Sequence, residues 1–252
     1  MARFLFLGLV ALLLVGGSSC DDSSAPSGEA SDEPLRIFTS IIPLRTFVEA
    51  VGGQHVSVES LTQPGDNPHT FEPSTGTVRR LASAHAFVRT HVGWEAAWID
   101  RIQGVNSSMR IIDFTEGFDR VGPDPHVWLS PTVVAKQIGR IRDGLIALDP
   151  PHAETYRQNA ADFQARVEAL HEEITALLEP AAGRAFLVFH PAWGYFAFDY
   201  DLRQIAIEVR GQEPPPAIVR RTVELARQEG IQTVFVQPQM SVRAAQTIAN
   251  QL

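Results

Sequence analysis

The chain has 252 residues, of which 44% are hydrophobic, and it carries a formal net charge of −8 at pH 7. Five of its acidic residues lie between residues 21 and 34; without these and Arg3, the sequence has 20 basic and 24 acidic residues. Such mild acidity argues against a nucleic-acid partner. The single cysteine, Cys20, excludes a disulfide within the chain, so the fold must be stabilised by its hydrophobic core.

Residues 1–19 are predicted to be a signal peptide. A basic residue precedes the apolar stretch 4–15, which is too short to span a bilayer, since spanning takes about 20 residues. Small residues before Cys20 are typical of bacterial lipoprotein signals, so we expect Cys20 to be lipidated, although Gly17 stands where such signals usually have leucine. The alternative is an ordinary secretory peptide. We expect the Ser-, Pro- and acid-rich residues 20–34 to form a disordered tether.

The 218 residues that follow are enough for two lobes with separate cores. Within residues 35–150, β-rich runs alternate with helical patterns, which predicts parallel βα units and an N-terminal α/β lobe. The predicted strands are 35–40, 56–61, 86–91 and 109–114, and the predicted helices are 43–51, 74–83 and 132–148. Ser74 has the position of a helix N-cap.

A long helix is predicted at residues 153–178, where apolar residues recur at steps of three and four along one side. A helix of 26 residues is about 39 Å long, so the linking segment 151–182 could join two lobes. Beyond it the alternation returns, which predicts a C-terminal α/β lobe in residues 183–252. Its predicted strands are 185–189, 204–209 and 233–237, with helices at 217–228 and from about 241.

Three histidines lie in three separate loops that are marked by prolines. They are His69 in DNPHTFEPS, His126 in DPHVWLSP and His190 in FHPAWGYF. Each follows a predicted strand or an apolar run, the position from which α/β proteins present ligand-binding groups, and the prolines limit the entropy lost on ligation. Three neutral imidazoles with one further ligand form a tetrahedral zinc site. Because the three lie far apart in sequence, such a site forms only when distant segments fold together.

Two carboxylates lie close to these histidines in sequence. Asp124 precedes His126 by two residues, and Glu72 follows His69 by three. Each could accept a hydrogen bond from an imidazole N–H and orient the ring. Asp124 could instead form only a local turn, and Glu72 could only cap the following helix.

Six segments, taken in order, resemble the cluster A-I solute-binding proteins, the metal receptors of bacterial ABC importers for zinc and manganese. They are DNPHTFEPS, AHAFVRTHVGWEAAWI, DPHVWLSP, FHPAWGYFAFDYDL, GQEPPPA and VFVQPQMSVRAAQTIA. The resemblance covers residues 34–252 and implies two Rossmann-like α/β lobes joined by a long rigid helix. It also implies a metal in the cleft between the lobes, with His69, His126 and His190 as ligands. Manganese members commonly have glutamate at the third position, so His190 favours Zn²⁺ over Mn²⁺.

The resemblance implies an exported, lipid-anchored and monomeric receptor that captures Zn²⁺ and delivers it to a membrane permease with its ATPase. A manganese or iron receptor of the same family is the nearest alternative. A zinc hydrolase would use an open fourth position for an activated water, but the chain has no HExxH helix and no carboxylate cluster for a second metal. An adhesin would leave three histidines in separate loops unexplained.

The chain departs from the family pattern at several points. Asn67 stands where aspartate is usual, Gln237 stands where many relatives have glutamate, and no histidine-rich loop lies between His69 and His126. Relatives continue beyond the position of Leu252 with a strand, a loop that bears an aspartate ligand, and a helix. We therefore expect a C-terminal lobe without its last βα unit and a site of three histidines and water. Since imidazole must be neutral to ligate, we expect binding to weaken below about pH 6.

Overall fold

The computed structural model of the protein describes residues 33–119, 124–208, 214–237 and 242–252. The predicted signal peptide, Cys20 and nearly all of the predicted tether lie outside the described residues. Across the four described ranges, no helix is both long enough and apolar enough to cross a membrane.

The N-terminal lobe is built on a four-stranded parallel sheet in the order β2-β1-β3-β4. Its strands are β1 Leu35–Thr39, β2 Val56–Ser60, β3 Ala86–Arg89 and β4 Arg110–Asp113. Its helices are α1 Ile42–Gly52, α2 Thr75–Leu81, α3 Glu95–Val105 and α4 Pro131–Leu148. Ser74 caps α2 as predicted, since its hydroxyl accepts a hydrogen bond from the Thr77 N–H at 3.1 Å. Ile37 and Phe87 are fully buried in the core around this sheet.

A single long helix, α5 Ala153–Leu178, connects this lobe to a second, smaller sheet. That sheet is also parallel, with the order β6-β5-β7. The remaining elements are β5 Ala185–Val188, α6 Gly194–Asp199, β6 Arg203–Ala206, α7 Pro216–Gln228, β7 Val234–Phe235 and α8 Val242–Ala249. A separate core lies here, around Leu187, Ile207, Val223 and Ile248. The predicted arrangement of two α/β lobes and a long helix is therefore confirmed.

Only part of the apolar stripe of α5 packs against the hydrophobic core. Tyr156 is fully buried, and its hydroxyl donates to Asp149 at 2.5 Å. Leu170 and Leu177, further along the same stripe, are 47% and 70% exposed. Packing of α5 into the N-terminal lobe therefore extends as far as Val167, and Leu170 and Leu177 beyond it are exposed apolar side chains.

The parallel strands decide where functional groups can meet. In a parallel sheet all carboxyl ends lie at one edge, so the loops that follow the strands emerge together. The loops after β2, β4 and β5 carry His69, His126 and His190 respectively. Two of these histidines therefore come from the N-terminal lobe and one from the C-terminal lobe.

Candidate metal centre

The three predicted histidines meet at one point between the lobes. Their Nε2 atoms lie 3.2 Å apart for His69 and His126, 3.0 Å apart for His69 and His190, and 3.1 Å apart for His126 and His190. His126 and His190 are buried, with 5% and 7% of their surface exposed, and His69 is half-buried. Within the described part of the chain, they form the one group of three or more His, Cys, Asp or Glu side chains spaced to hold a metal ion.

The spacing of the three nitrogens fits a tetrahedral zinc ion. An ion about 1 Å above the plane of the nitrogens would lie about 2.0–2.1 Å from each, which is the Zn–N distance found in proteins. The fourth corner of the tetrahedron would then point away from that plane. The geometry therefore fits three protein ligands and one further ligand.

Asp124 fixes the imidazole of His126. One carboxylate oxygen, Oδ1, accepts the backbone N–H of His126 at 2.9 Å and its Nδ1–H at 2.6 Å. Because a carboxylate only accepts hydrogen bonds, Nδ1 carries the proton and the lone pair of Nε2 faces the other histidines. The two roles considered for Asp124, a local turn and imidazole orientation, are thus played by the same oxygen.

Glu208 does the same for His190, and sequence analysis missed it. Oε2 of Glu208 accepts from Nδ1 of His190 at 2.7 Å, and both side chains are buried. The register of the two strands explains the contact, since Val188 of β5 pairs with Ala206 of β6 and each partner stands two residues further along. An acidic residue two positions after a parallel strand is the signal that could have found it.

His69 is held more loosely than the other two. Asn67 Oδ1 accepts the backbone N–H of His69 at 2.9 Å, a local contact that an amide makes as well as the usual aspartate would. Glu72, proposed from sequence to orient this ring, is exposed, and none of the hydrogen bonds among the described residues joins it to His69. Nothing in the geometry therefore supports that role for Glu72.

Burial favours the neutral form of the His69 and His190 imidazoles. The pKa of His69 is lowered from 6.5 to about 4. Desolvation is the largest cause, and repulsion from the positive charges that His126 and His190 would carry adds to it. Desolvation also lowers the pKa of His190, against the opposing effect of its hydrogen bond to Glu208. A neutral imidazole is the form that binds a metal, so His69 and His190 are ready to ligate at neutral pH.

The arrangement of the Nε2 lone pairs in this site favours a bound cation. Nε2 of His126 and Nε2 of His190 are both acceptors at 3.1 Å from each other, and neither can donate to the other. A proton on Nε2 of His69 satisfies only one of these contacts at a time. A divalent ion among the three nitrogens would satisfy all of them.

The centre opens into a cavity of about 460 Å³ that the three histidines line together with Trp128 and Gln237. Oε1 of Gln237 is buried and has no hydrogen-bond partner among the described residues. Gln237 follows β7 by two residues, and the register of β5 and β7 therefore places it beside His190.

The histidine outside this group that lies at the end of a predicted strand, His91, does not join the centre. Its Nε2 lies 2.6 Å from Asp113 Oδ2, and its ring also contacts the guanidinium of Arg89. It belongs to a charged cluster in the N-terminal lobe.

A profile of the family described as ZnuA, zinc-uptake complex component A, periplasmic, matches residues 37–252. The chain belongs to the ZnuA family. A crystal structure of ZnuA has a TM-score of 0.84 to this fold at 37% sequence identity, covering 87% of this chain and 88% of that one. Members of the ZnuA family are metal-binding transport receptors, not enzymes, so the resemblance inferred from the motifs is confirmed.

Curated relatives include receptors named for two metals. The zinc-binding lipoprotein AdcA of Streptococcus pneumoniae is 27% identical, covering 98% of this chain and 52% of its own length. The manganese-binding lipoprotein MntA of Halalkalibacterium halodurans is 28% identical, covering 98% of this chain and 84% of its own length. This chain thus spans about half the length of the AdcA relatives that it matches.

Proposed function

We propose that this chain captures one Zn²⁺ between its two lobes and delivers it to an ABC permease for import. The observation that carries the proposal is the convergence of three imidazole Nε2 atoms, from three loops and both lobes, within 3.0–3.2 Å of one another. The ZnuA family profile and the zinc-binding relatives support it.

The ion is the cargo, and no covalent bond is made or broken. His69, His126 and His190 each give one Nε2 lone pair, and Asp124 and Glu208 hold two of the rings in the tautomer that binds metal. These carboxylates also raise the basicity of the ligands and offset the charge of the ion. Because the ligands belong to both lobes, separation of the lobes would break the site and release the ion to the permease.

Zinc is the favoured cargo because all three donors are imidazoles. A nitrogen site binds Zn²⁺ more strongly than Mn²⁺ on intrinsic affinity, whereas manganese prefers oxygen donors. In this proposal a water takes the fourth position, and the amide oxygen of Gln237, which lines the same cavity, accepts a hydrogen bond from it. The relationship to MntA keeps a manganese receptor as the alternative.

The chain acts outside the cytoplasmic membrane in this proposal. Residues 1–19 direct export, Cys20 carries the lipid anchor, and the tether up to residue 34 leaves the monomeric receptor free to meet the permease. AdcA of Streptococcus pneumoniae and MntA of Halalkalibacterium halodurans are both named lipoproteins. This supports an anchored location.

Native mass spectrometry and competition titration with Zn²⁺ and Mn²⁺ test the proposal on the purified chain. We expect one Zn²⁺ per chain, tighter binding of Zn²⁺ than of Mn²⁺, and no stoichiometric binding after substitution of all three site histidines by alanine. His55→Ala, which removes an imidazole outside the site, is the control. Stoichiometric zinc in the triple variant, or a folded chain that binds none, would overturn the proposal.

A further inference from the structure

Helix α6 of the C-terminal lobe contacts the segment that carries His126 on both sides of that ligand. The Tyr195 hydroxyl donates to the carbonyl oxygen of Asp124 at 3.2 Å. At the other end, the carboxylate of Asp199 accepts from the hydroxyls of Ser130 and Thr132, each at 2.6 Å. His126 therefore lies between two attachments to one short helix.

The first of these attachments is tightly packed. Tyr195 is 6% exposed and belongs to the core of the N-terminal lobe, where its ring lies 5.9 Å from that of Phe118. Gly194 comes so close to Asp124 that an added Cβ would lie 2.6 Å from Oδ2. A larger residue at this position would force the carboxylate that orients His126 to shift.

The second attachment is a charge-assisted one. Ser130 is fully buried, and its hydroxyl also accepts the Val133 N–H at 3.1 Å as the N-cap of α4. Asp199 thus fixes the residue at which the His126 segment ends and α4 begins. Hydrogen bonds to a carboxylate are about twice as strong as neutral ones, so this contact restrains the loop more than a hydroxyl pair would.

The loop of His69 has no comparable attachment. Its hydrogen bonds are local, such as Gln63 N–H to Asp66 and Thr70 N–H to Asn67. Apart from the His69 imidazole itself, no hydrogen bond among the described residues links this loop to the C-terminal lobe. The site therefore combines two ligands that are fastened to each other with one that is not.

We propose that Asp199 is a positioning residue for metal binding, which acts by holding His126 in place beside His190. Helix α6 starts four residues after His190, so it ties the second ligand to the third without touching the ion. This inference rests on the proposed capture of a metal at the three histidines. It extends that proposal to a residue that contacts neither the metal nor a ligand.

A double-mutant cycle on Zn²⁺ affinity tests the inference. We expect Asp199→Ala to weaken zinc binding on the order of 10-fold, as loss of an outer partner does at other metal sites. The same loss of affinity should be measured when His69 has been replaced by alanine. It should fall to less than about two-fold when His126 has been replaced by alanine, because Asp199 acts through His126 and the effects of coupled residues do not add. Asp199→Asn, which keeps an acceptor oxygen, should recover part of the affinity, and Glu173→Ala, on an exposed face of α5, should leave it unchanged.

Equal losses from Asp199→Ala in the His69→Ala and His126→Ala backgrounds would overturn the inference, as would wild-type affinity in Asp199→Ala. If Asp199→Ala does not fold, Thr132→Val removes one donor and leaves the Ser130 cap intact, and the same cycle applies with a smaller loss. A wild-type chain that binds no zinc would instead refute the proposed function.

Discussion

At the residue scale, hydrogen bonds decide which ring nitrogens face the metal. Asp124 and Glu208 each accept from an Nδ1–H, at 2.6 and 2.7 Å, and thereby leave two Nε2 lone pairs in the cleft. The side chain of Glu208 is 6% exposed, so its charge is screened little by water. Its interaction with His190 should therefore matter for affinity.

Glu208→Gln should weaken zinc binding on the order of 10-fold, because the amide still accepts from His190 but no longer carries the charge that raises the basicity of the ring. Isothermal or competition titration measures the change. Glu224→Gln, on an exposed position of α7, is the matched control. Unchanged affinity in Glu208→Gln would show that the carboxylate is not needed.

The low pKa of His69 has a consequence for the stability of the metal-free protein. With a pKa of about 4 in the folded chain and 6.5 in the unfolded one, the unfolded state binds more protons between these values. The free energy of unfolding should therefore fall as the pH is lowered from about 6.5 to about 4, by on the order of 1 kcal/mol, since water screens this half-buried ring.

Urea denaturation of the metal-free chain at several pH values, compared with His69→Gln, measures this dependence. The same slope in both proteins would show that His69 does not contribute. The expectation from sequence that binding weakens below about pH 6 used the ordinary imidazole pKa of 6.5. Because burial lowers the pKa of His69 to about 4, this ring stays neutral at a lower pH than that expectation assumed.

At the element scale, α4 shows how tightly the helices pack on the sheet that supports the site. Gly144 faces β4 so closely that an added Cβ would lie 2.4 Å from Cδ1 of Ile112 and 2.7 Å from its Cγ1. Gly139, on the same helix, would meet only the end of the Arg142 side chain, at 3.4 Å. Substitution of Gly144 by alanine therefore tests the packing of α4 on the sheet, whereas the same substitution at Gly139 tests only the helix propensity of the residue.

Gly144→Ala should destabilise the protein by about 1–3 kcal/mol through overpacking, whereas Gly139→Ala should be neutral or stabilising by up to about 1 kcal/mol, because alanine favours the helix. Thermal unfolding of the two variants gives the comparison. If Gly144→Ala were as stable as Gly139→Ala, the contact between α4 and Ile112 would be looser than the structure shows.

Most elements were predictable because the pattern that defines them is local. The bounds of α5 agree with the prediction at both ends, since Pro150 and Pro151 precede its start and its apolar stripe is regular. Helix α3 was missed because it has no side-chain cap and buries only Glu95 and Ile102. Helix α6 has six residues, which is too few for a periodic signal.

The site was predictable only in part. The three histidines carry a local signal, since each stands beside a proline in a loop after a predicted strand or an apolar run. Glu208 carries only the weak signal of an acidic residue just after a strand, and Asp199 carries none. Their partners stand 18 and 67 or more residues away and are set by strand register and by the packing of the lobes. Local hydrophobic periodicity carries no information about contacts between the lobes, because these contacts join segments that are far apart in sequence.

At the scale of the whole molecule, the centre exists only when both lobes are in place. His69 and His126 follow strands of the larger sheet, and His190 follows a strand of the smaller one. A metal held by all three would couple the lobes, and binding to the folded state alone would stabilise it by mass action. This coupling of ion and lobes is the central claim of the proposed transport role.

X-ray absorption spectroscopy of the zinc-loaded chain at the zinc edge tests this claim most directly. We predict three imidazole nitrogens at about 2.0–2.1 Å and one oxygen, with one imidazole fewer in His190→Ala. Two or fewer imidazoles in the wild-type chain, or an unchanged spectrum in His190→Ala, would contradict a site shared between the lobes.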